Sequence, residues 1–155
     1  MVYGKTFSWY FAYGSNMDAE RMKKRVGRLP DRISGALRNW RLEFNKASKD
    51  VPGAGFANIA PCLGEGVEGV LYLLSDEELQ ELDRHEGVPH HYKRHQVCVE
   101  RQGTGKVVTA VTYVANSGKV RSGLKPTRKY LNHLLAGADC LSEEYVRRLQ
   151  AVETL

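Results

Sequence analysis

Polar and apolar positions from Ser75 to Tyr92 follow a helical rhythm that stops sharply. Ser75 with Glu78 three residues later is a capping box, and Leu79 and Leu82 mark an apolar side. Two turns beyond Leu79, Glu86 falls on that same side; Gly87 suits a left-handed C-terminal cap and Pro89 forbids continuation. Upstream, the aromatic-rich run Phe7 to Tyr13 reads as a buried strand leading into Gly14-Ser15-Asn16. The polar stretch Asp18 to Val26 suits a short helix whose basic residues, Arg21, Lys23, Lys24, Arg25 and the following Arg28, read as a solvated face.

Ile33 to Phe44 is strand-like, with Leu37, Trp40, Leu42 and Phe44 as apolar anchors, and Lys46 to Gly55 is a loop. Ala57-Asn58-Ile59 reads as a short strand before a turn at Pro61 to Gly66. Val67 to Leu74 reads as a central strand in which Gly69 signals close backbone approach. Tyr92 to Arg101 and Lys106 to Ala115 form a hairpin through Gln102-Gly103-Thr104-Gly105. After the basic loop Asn116 to Lys125, Pro126 fits the first turn of a helix to Leu135, with Gly137 as its C-cap. Ser142 opens a last helix with Val146, Leu149 and Val152 as its packing stripe. Strands with singly inserted helices predict one α+β domain over residues 1–155, its strands sufficient to curl into a small barrel. Periodicity alone does not close that barrel.

Composition narrows the class. The 155 residues, 42% hydrophobic and 26% charged, are those of an ordinary globular protein. No apolar run approaches the length of a membrane span, and no secretory signal pattern is seen at the N-terminus. Cys62, Cys98 and Cys140 are odd in number and widely spaced, which argues against a disulfide framework or a zinc site and for a reducing, cytoplasmic setting. The formal charge of +5 would attract anionic metabolites or nucleic acid and decides neither.

Two stretches could carry chemistry. Glu86 is a carboxylate on the core-facing side of a helix at the negative end of its dipole. Burial and dipole both disfavour its charged form and raise its pKa, as a general acid/base requires. From spacing alone, a glutamate bending out to solvent at a frayed helix end stands as the alternative. Tyr13-Gly14-Ser15-Asn16, a strand end passing into a helix, reads either as a nest of backbone N–H groups for an anion or as a turn with a helix cap. His85, His90, His91 and His95 lack metal-ligand spacing and read as surface or packing residues, so no metal is expected. No phosphate-binding glycine motif and no Gly-x-Ser-x-Gly elbow is present.

Phe11-Ala12-Tyr13-Gly14-Ser15-Asn16-Met17, then Leu82 to Val88 (Leu-Asp-Arg-His-Glu-Gly-Val) and Tyr92, resemble the γ-glutamylcyclotransferase family. The likeness runs on through Gly55 to Ile59, Gly69 to Tyr72, Tyr113 and Tyr130 to Ala138, and so covers nearly the whole chain. The resemblance implies a small mixed β-barrel with peripheral α-helices and a cavity for a γ-glutamyl group. It also implies release of 5-oxoproline and a free amino acid or amine, with no cofactor. Carried over by motif, Glu86 is the acid/base, Tyr13, Gly14, Ser15 and Asn16 grip the γ-glutamyl group, and Tyr92, Tyr113 and Tyr130 line the site. Asn16 departs from glutathione-specific relatives, which place an apolar residue there. Phe56 departs from the small residue often found beside Gly55 and would narrow the cavity. The implied partner is a small γ-glutamyl substrate, with neither nucleic acid nor membrane, in a monomer or homodimer. Alternative readings are a γ-glutamylamine cyclotransferase, a biosynthetic deprotecting enzyme, or a non-catalytic basic binding module.

Overall fold

In the computed structural model, which describes residues 6–155, the chain runs β1 (Phe7–Ala12), α1 (Ala19–Val26), β2 (Arg32–Ala47), β3 (Gly55–Ser75), α2 (Asp76–His85), β4 (Tyr92–Arg101), β5 (Val107–Ala115), α3 (Arg128–Leu135) and α4 (Glu143–Gln150). The strands close a barrel in the order β1-β3-β2-β4-β5. Closure comes from a short parallel pairing of Trp9 with Ala110 and Tyr10 with Val111. The fold is α+β, a five-stranded barrel with helices packed outside it.

The continuous aromatic character of β1 follows from burial on both faces. Phe11 and Tyr13 join Leu37, Ile59, Val67, Leu71 and Val99 in a cluster drawn only from the barrel's strands and their ends. Tyr10 and Ala12 turn the other way, to a second cluster shared with Met22, Leu82, Leu131 and Leu134 of the helices. Burying these side chains gives on the order of 2 kcal/mol each and fixes where the helices sit. Gly69 packs as its sequence position indicated: a Cβ there would lie 2.3 Å from the Ala12 carbonyl oxygen and 2.9 Å from the Phe11 ring.

Several local expectations are corrected. Ala57–Ile59 and Val67–Leu74 belong to one long strand, β3. The turn between them is a bulge, because the pairing jumps from Arg38↔Gly66 to Trp40↔Pro61. Asn39 takes a φ of +67° opposite the bulge and accepts from the Gly64 amide. Pro61 is tolerated because that part of β3 pairs with β2 alone, leaving its other side an open edge. Pro126 precedes the helix it was expected to open; Thr127 is the cap, accepting from the Tyr130 amide. Gly137 has φ −91° and is no left-handed cap. Close packing selects it instead, since a Cβ would come 2.8 Å from that of Met17. On α4 the buried pair is Tyr145 and Leu149, with Val146 only half-buried. Among the described residues no helix is long and apolar enough to cross a membrane.

Candidate active site

The helix beginning at Ser75 forms as its capping box dictates: the Ser75 hydroxyl accepts from the Glu78 amide and the Glu78 carboxylate accepts from the Ser75 amide. Leu79 and Leu82 anchor it in the core, and Glu86 ends it as the C-cap residue. Gly87 follows at φ +64°, where a side chain would also strike His91. The Glu86 side chain turns inward, retaining 16% exposure. Its Oε1 accepts from Asn16 Nδ2 at 2.9 Å and lies 3.8 Å from Arg25 Nη1. Burial raises its pKa, opposed by Arg25, the Asn16 hydrogen bond, Arg21 and Lys46.

Asn16 is 2% exposed, and its side-chain amide and its carbonyl are all held. Its Nδ2 also donates to the Tyr10 hydroxyl at 3.0 Å, its Oδ1 accepts from Arg25 at 2.9 Å, and its carbonyl accepts from the Tyr72 hydroxyl at 2.7 Å. Arginine can only donate, so Arg25 sets the amide's orientation and turns its NH2 toward Glu86. Ser15–Met17 is a 3-10 turn. The N-terminus of α1 lies beyond it and is already capped by Asp18, which accepts from the Glu20 and Arg21 amides. The helix end that the sequence suggested for an anion is therefore occupied.

Around Glu86 the space divides into two chambers. The inner one, about 30 Å³, is walled by Tyr10, Tyr13, Tyr92, Tyr113 and Tyr130 together with Gly14, Ser15 and Asn16. The outer one, about 410 Å³, is reached past Ser15, Glu86, Tyr92 and Tyr130, which border both. Three tyrosine hydroxyls of the inner chamber donate to the frame: Tyr13 to the Tyr113 carbonyl, Tyr92 to the Ala57 carbonyl at 2.8 Å, and Tyr113 to Asp83 at 2.6 Å. Tyr10 accepts from Asn16, and Tyr130 accepts from the Ala57 amide at 3.0 Å, so these two keep an O–H free. Burial pushes Tyr130 up to about 12, which keeps that proton in place at neutral pH.

The Leu82–Val88 segment lies within residues 66–149, which match the AIG2-like family. Human γ-glutamylcyclotransferase is 31% identical over 151 residues, covering 93% of this chain and 78% of the human protein. The chain belongs to the γ-glutamylcyclotransferase family. It is an enzyme of that type. The bovine enzyme is 30% identical over the same share of both chains. A solved γ-glutamyl cyclotransferase structure superimposes with a TM-score of 0.85 at 28% identity, over 97% of this chain and 90% of that one.

Every residue that the γ-glutamylcyclotransferase resemblance singled out borders one of the two chambers. Tyr113 does so with its ring, its hydroxyl being taken by Asp83. Sequence reasoning missed Tyr10, one residue of alternation away from the motif, and Arg21 and Arg25. On α1, Lys23 and Lys24 are solvated as expected, and beyond it the exposed Arg28 pairs with Glu78, but Arg21 and Arg25, one turn apart, face the outer chamber. Their i, i+4 spacing was the available signal. His91 was read as a surface or packing histidine; it lines the outer chamber and its Nδ1 is 2.9 Å from Lys46 Nζ. Phe56 stands at the outer chamber edge-on to Tyr130, with ring centroids 5.1 Å apart. Among the described residues no group of three His, Cys, Asp or Glu side chains could hold a metal ion.

Proposed function

We propose that the protein is an intramolecular γ-glutamyl cyclotransferase, releasing 5-oxoproline and a free amino acid from a γ-glutamyl amino acid. The substrate's α-nitrogen attacks its own γ-amide carbonyl; the new C–N bond closes a five-membered ring and the old one breaks. Two protons leave the attacking nitrogen and two arrive on the departing one. Glu86, a carboxylate whose pKa burial raises, is the group that carries them. No enzyme nucleophile is needed because both reacting groups lie in one molecule. Holding the folded conformer lowers the barrier by roughly 5–10 kcal/mol, and the acid/base adds on the order of 10²–10⁴ in rate. Tyr130, with its unspent O–H beside Gly14, is the donor for the oxyanion on the carbonyl.

The observation that carries this reading is the 2.9 Å bond from Asn16 to Glu86 at the border of the tyrosine-walled chamber. It joins the Tyr-Gly-Ser-Asn turn to the acid that a substrate gripped by that turn would need. The ring-forming atoms belong at this border and the departing amine in the larger outer chamber. The test is release of 5-oxoproline from γ-glutamyl-alanine by the purified protein, with loss of at least ~10²-fold in Glu86→Gln while the folded state is retained. Full activity in that variant removes the proposed proton carrier.

A further inference from the structure

The outer chamber is more cationic than a general acid/base site requires. Lys46, Lys49, Arg21, Arg25 and Arg84 line it, against the carboxylates of Asp50 and Glu86. Arg25 is engaged by Asn16 and Glu86, and Arg84 pairs with Glu81. Lys46 and Arg21 are different: among the described residues neither has a carboxylate within ion-pair distance. Lys46 is only 5% exposed. Its ammonium bonds the His91 ring nitrogen and lies 5.5 Å from the Phe56 ring and 5.8 Å from that of Tyr92. Arg21 donates from Nη1 to His133 Nε2 at 3.1 Å, and Asp18 holds the other nitrogen of that imidazole at 2.8 Å. This leaves the Arg21 Nε buried with no hydrogen-bond partner. A buried cation without a counter-charge costs stability, and an anionic ligand in the chamber offsets that cost.

The two groups come from different elements, Arg21 from α1 and Lys46 from β2, and both line the outer chamber. We propose that the outer chamber selects a departing amine bearing two carboxylates, that is, an acidic α-amino acid linked through its nitrogen, as in γ-glutamyl-glutamate or γ-glutamyl-aspartate. This rests on the cyclotransferase reading for the orientation of the substrate. With the glutamyl group turned toward the inner chamber, the departing half lies in the outer one, which Lys46 and Arg21 line. A neutral amino acid brings one carboxylate to this cationic lining, where an acidic one brings two. A departing lysine adds a cation to a chamber that already holds too many. Lys49, exposed on the loop after β2, strengthens the field at Lys46.

The experiment compares γ-glutamyl-glutamate, γ-glutamyl-alanine and γ-glutamyl-lysine by initial rates of 5-oxoproline release, and by calorimetric binding to the Glu86→Gln protein. The expected result is kcat/KM about tenfold higher for the glutamate compound than for the alanine compound, with the lysine compound lowest. That order should narrow as salt is raised. Lys46→Gln should shrink the glutamate-over-alanine ratio toward one. Lys49→Ala, at an exposed position that does not threaten folding, should shrink it by a smaller factor. Equal kcat/KM for the three compounds, or a preference for lysine, overturns the proposal. If none of them yields 5-oxoproline, the cyclotransferase reading fails and the dissociation constants decide this one: the order glutamate, alanine, lysine supports selection of an acidic group by the cationic chamber, while equal or absent binding overturns it.

Discussion

Asn16 and Glu86, 70 positions apart in the chain, are joined by a 2.9 Å hydrogen bond from the Asn16 amide to the Glu86 carboxylate. The bond works against burial: it stabilises the ionised acid, while desolvation stabilises the protonated one. Arg25 holds the amide in the orientation that lets it donate.

Replacing Asn16 with alanine removes a donor to the charged form and moves the Glu86 pKa further up. As the proposed base, Glu86 must be ionised to accept a proton, so the acid limb of kcat/KM against pH shifts to higher pH. At neutral pH the loss is roughly tenfold to a hundredfold, the equivalent of one charge-assisted hydrogen bond. A pH–rate profile of wild type and Asn16→Ala checks this; superimposable acid limbs would rule out control of Glu86 by Asn16.

The same acid ties stability to pH. Its folded pKa lies above the ordinary glutamate value of 4.5. Between that value and the raised one, the folded state therefore binds more protons than the unfolded state. Stability is present below the window and is lost as pH rises through it. Glu86→Gln cannot ionise and should be the more stable protein at neutral pH, the two converging in acid. Urea unfolding at several pH values measures the difference.

The five tyrosines of the inner chamber divide by where their hydroxyl protons go. Tyr113→Phe leaves the half-buried Asp83 short of one donor, though Arg94 still pairs with it. The effect falls on stability, about 1 kcal/mol. Tyr130→Phe removes a free O–H at the chamber border and should lower kcat by tenfold or more, with little change in KM. Parallel melting curves and steady-state kinetics on both variants separate these roles.

Lys46 is buried without a carboxylate partner, and burial, with Lys119 and Lys49, lowers its pKa. A methionine of similar length keeps the packing and removes the charge. Lys46→Met should therefore stabilise the ligand-free protein by about 1 kcal/mol, a rise in Tm of roughly 3 °C for a chain of this size. A lower Tm would mean that the ammonium contributes to the fold.

What was legible in the residues is what acts over short distances. The capping box at Ser75 and Glu78, the spacing from Leu79 to Glu86, and Gly87 with Pro89 determine a helix that ends with Glu86 on the Leu79 side, and leave open whether its carboxylate turns inward or out to solvent. The β1 aromatics and the tight packing at Gly69 were equally local. Errors arose where a neighbour distant in sequence decided the outcome. Pro61 reads as a break until the open edge beside it is seen, and Gly137 reads as a cap until Met17 is packed against it.

The amino-acid sequence by itself determined most of the elements and the turn motif, because capping, periodicity and glycine tolerance are properties of a few adjacent residues. Only the tertiary structure decided that Arg21, Arg25 and Lys46 turn inward, that Asp18 rather than a ligand caps α1, and which tyrosine hydroxyls stay free. Those outcomes follow from barrel closure and helix docking. A cation faces solvent or a chamber according to what packs on either side of it, and that is set by contacts tens of residues away.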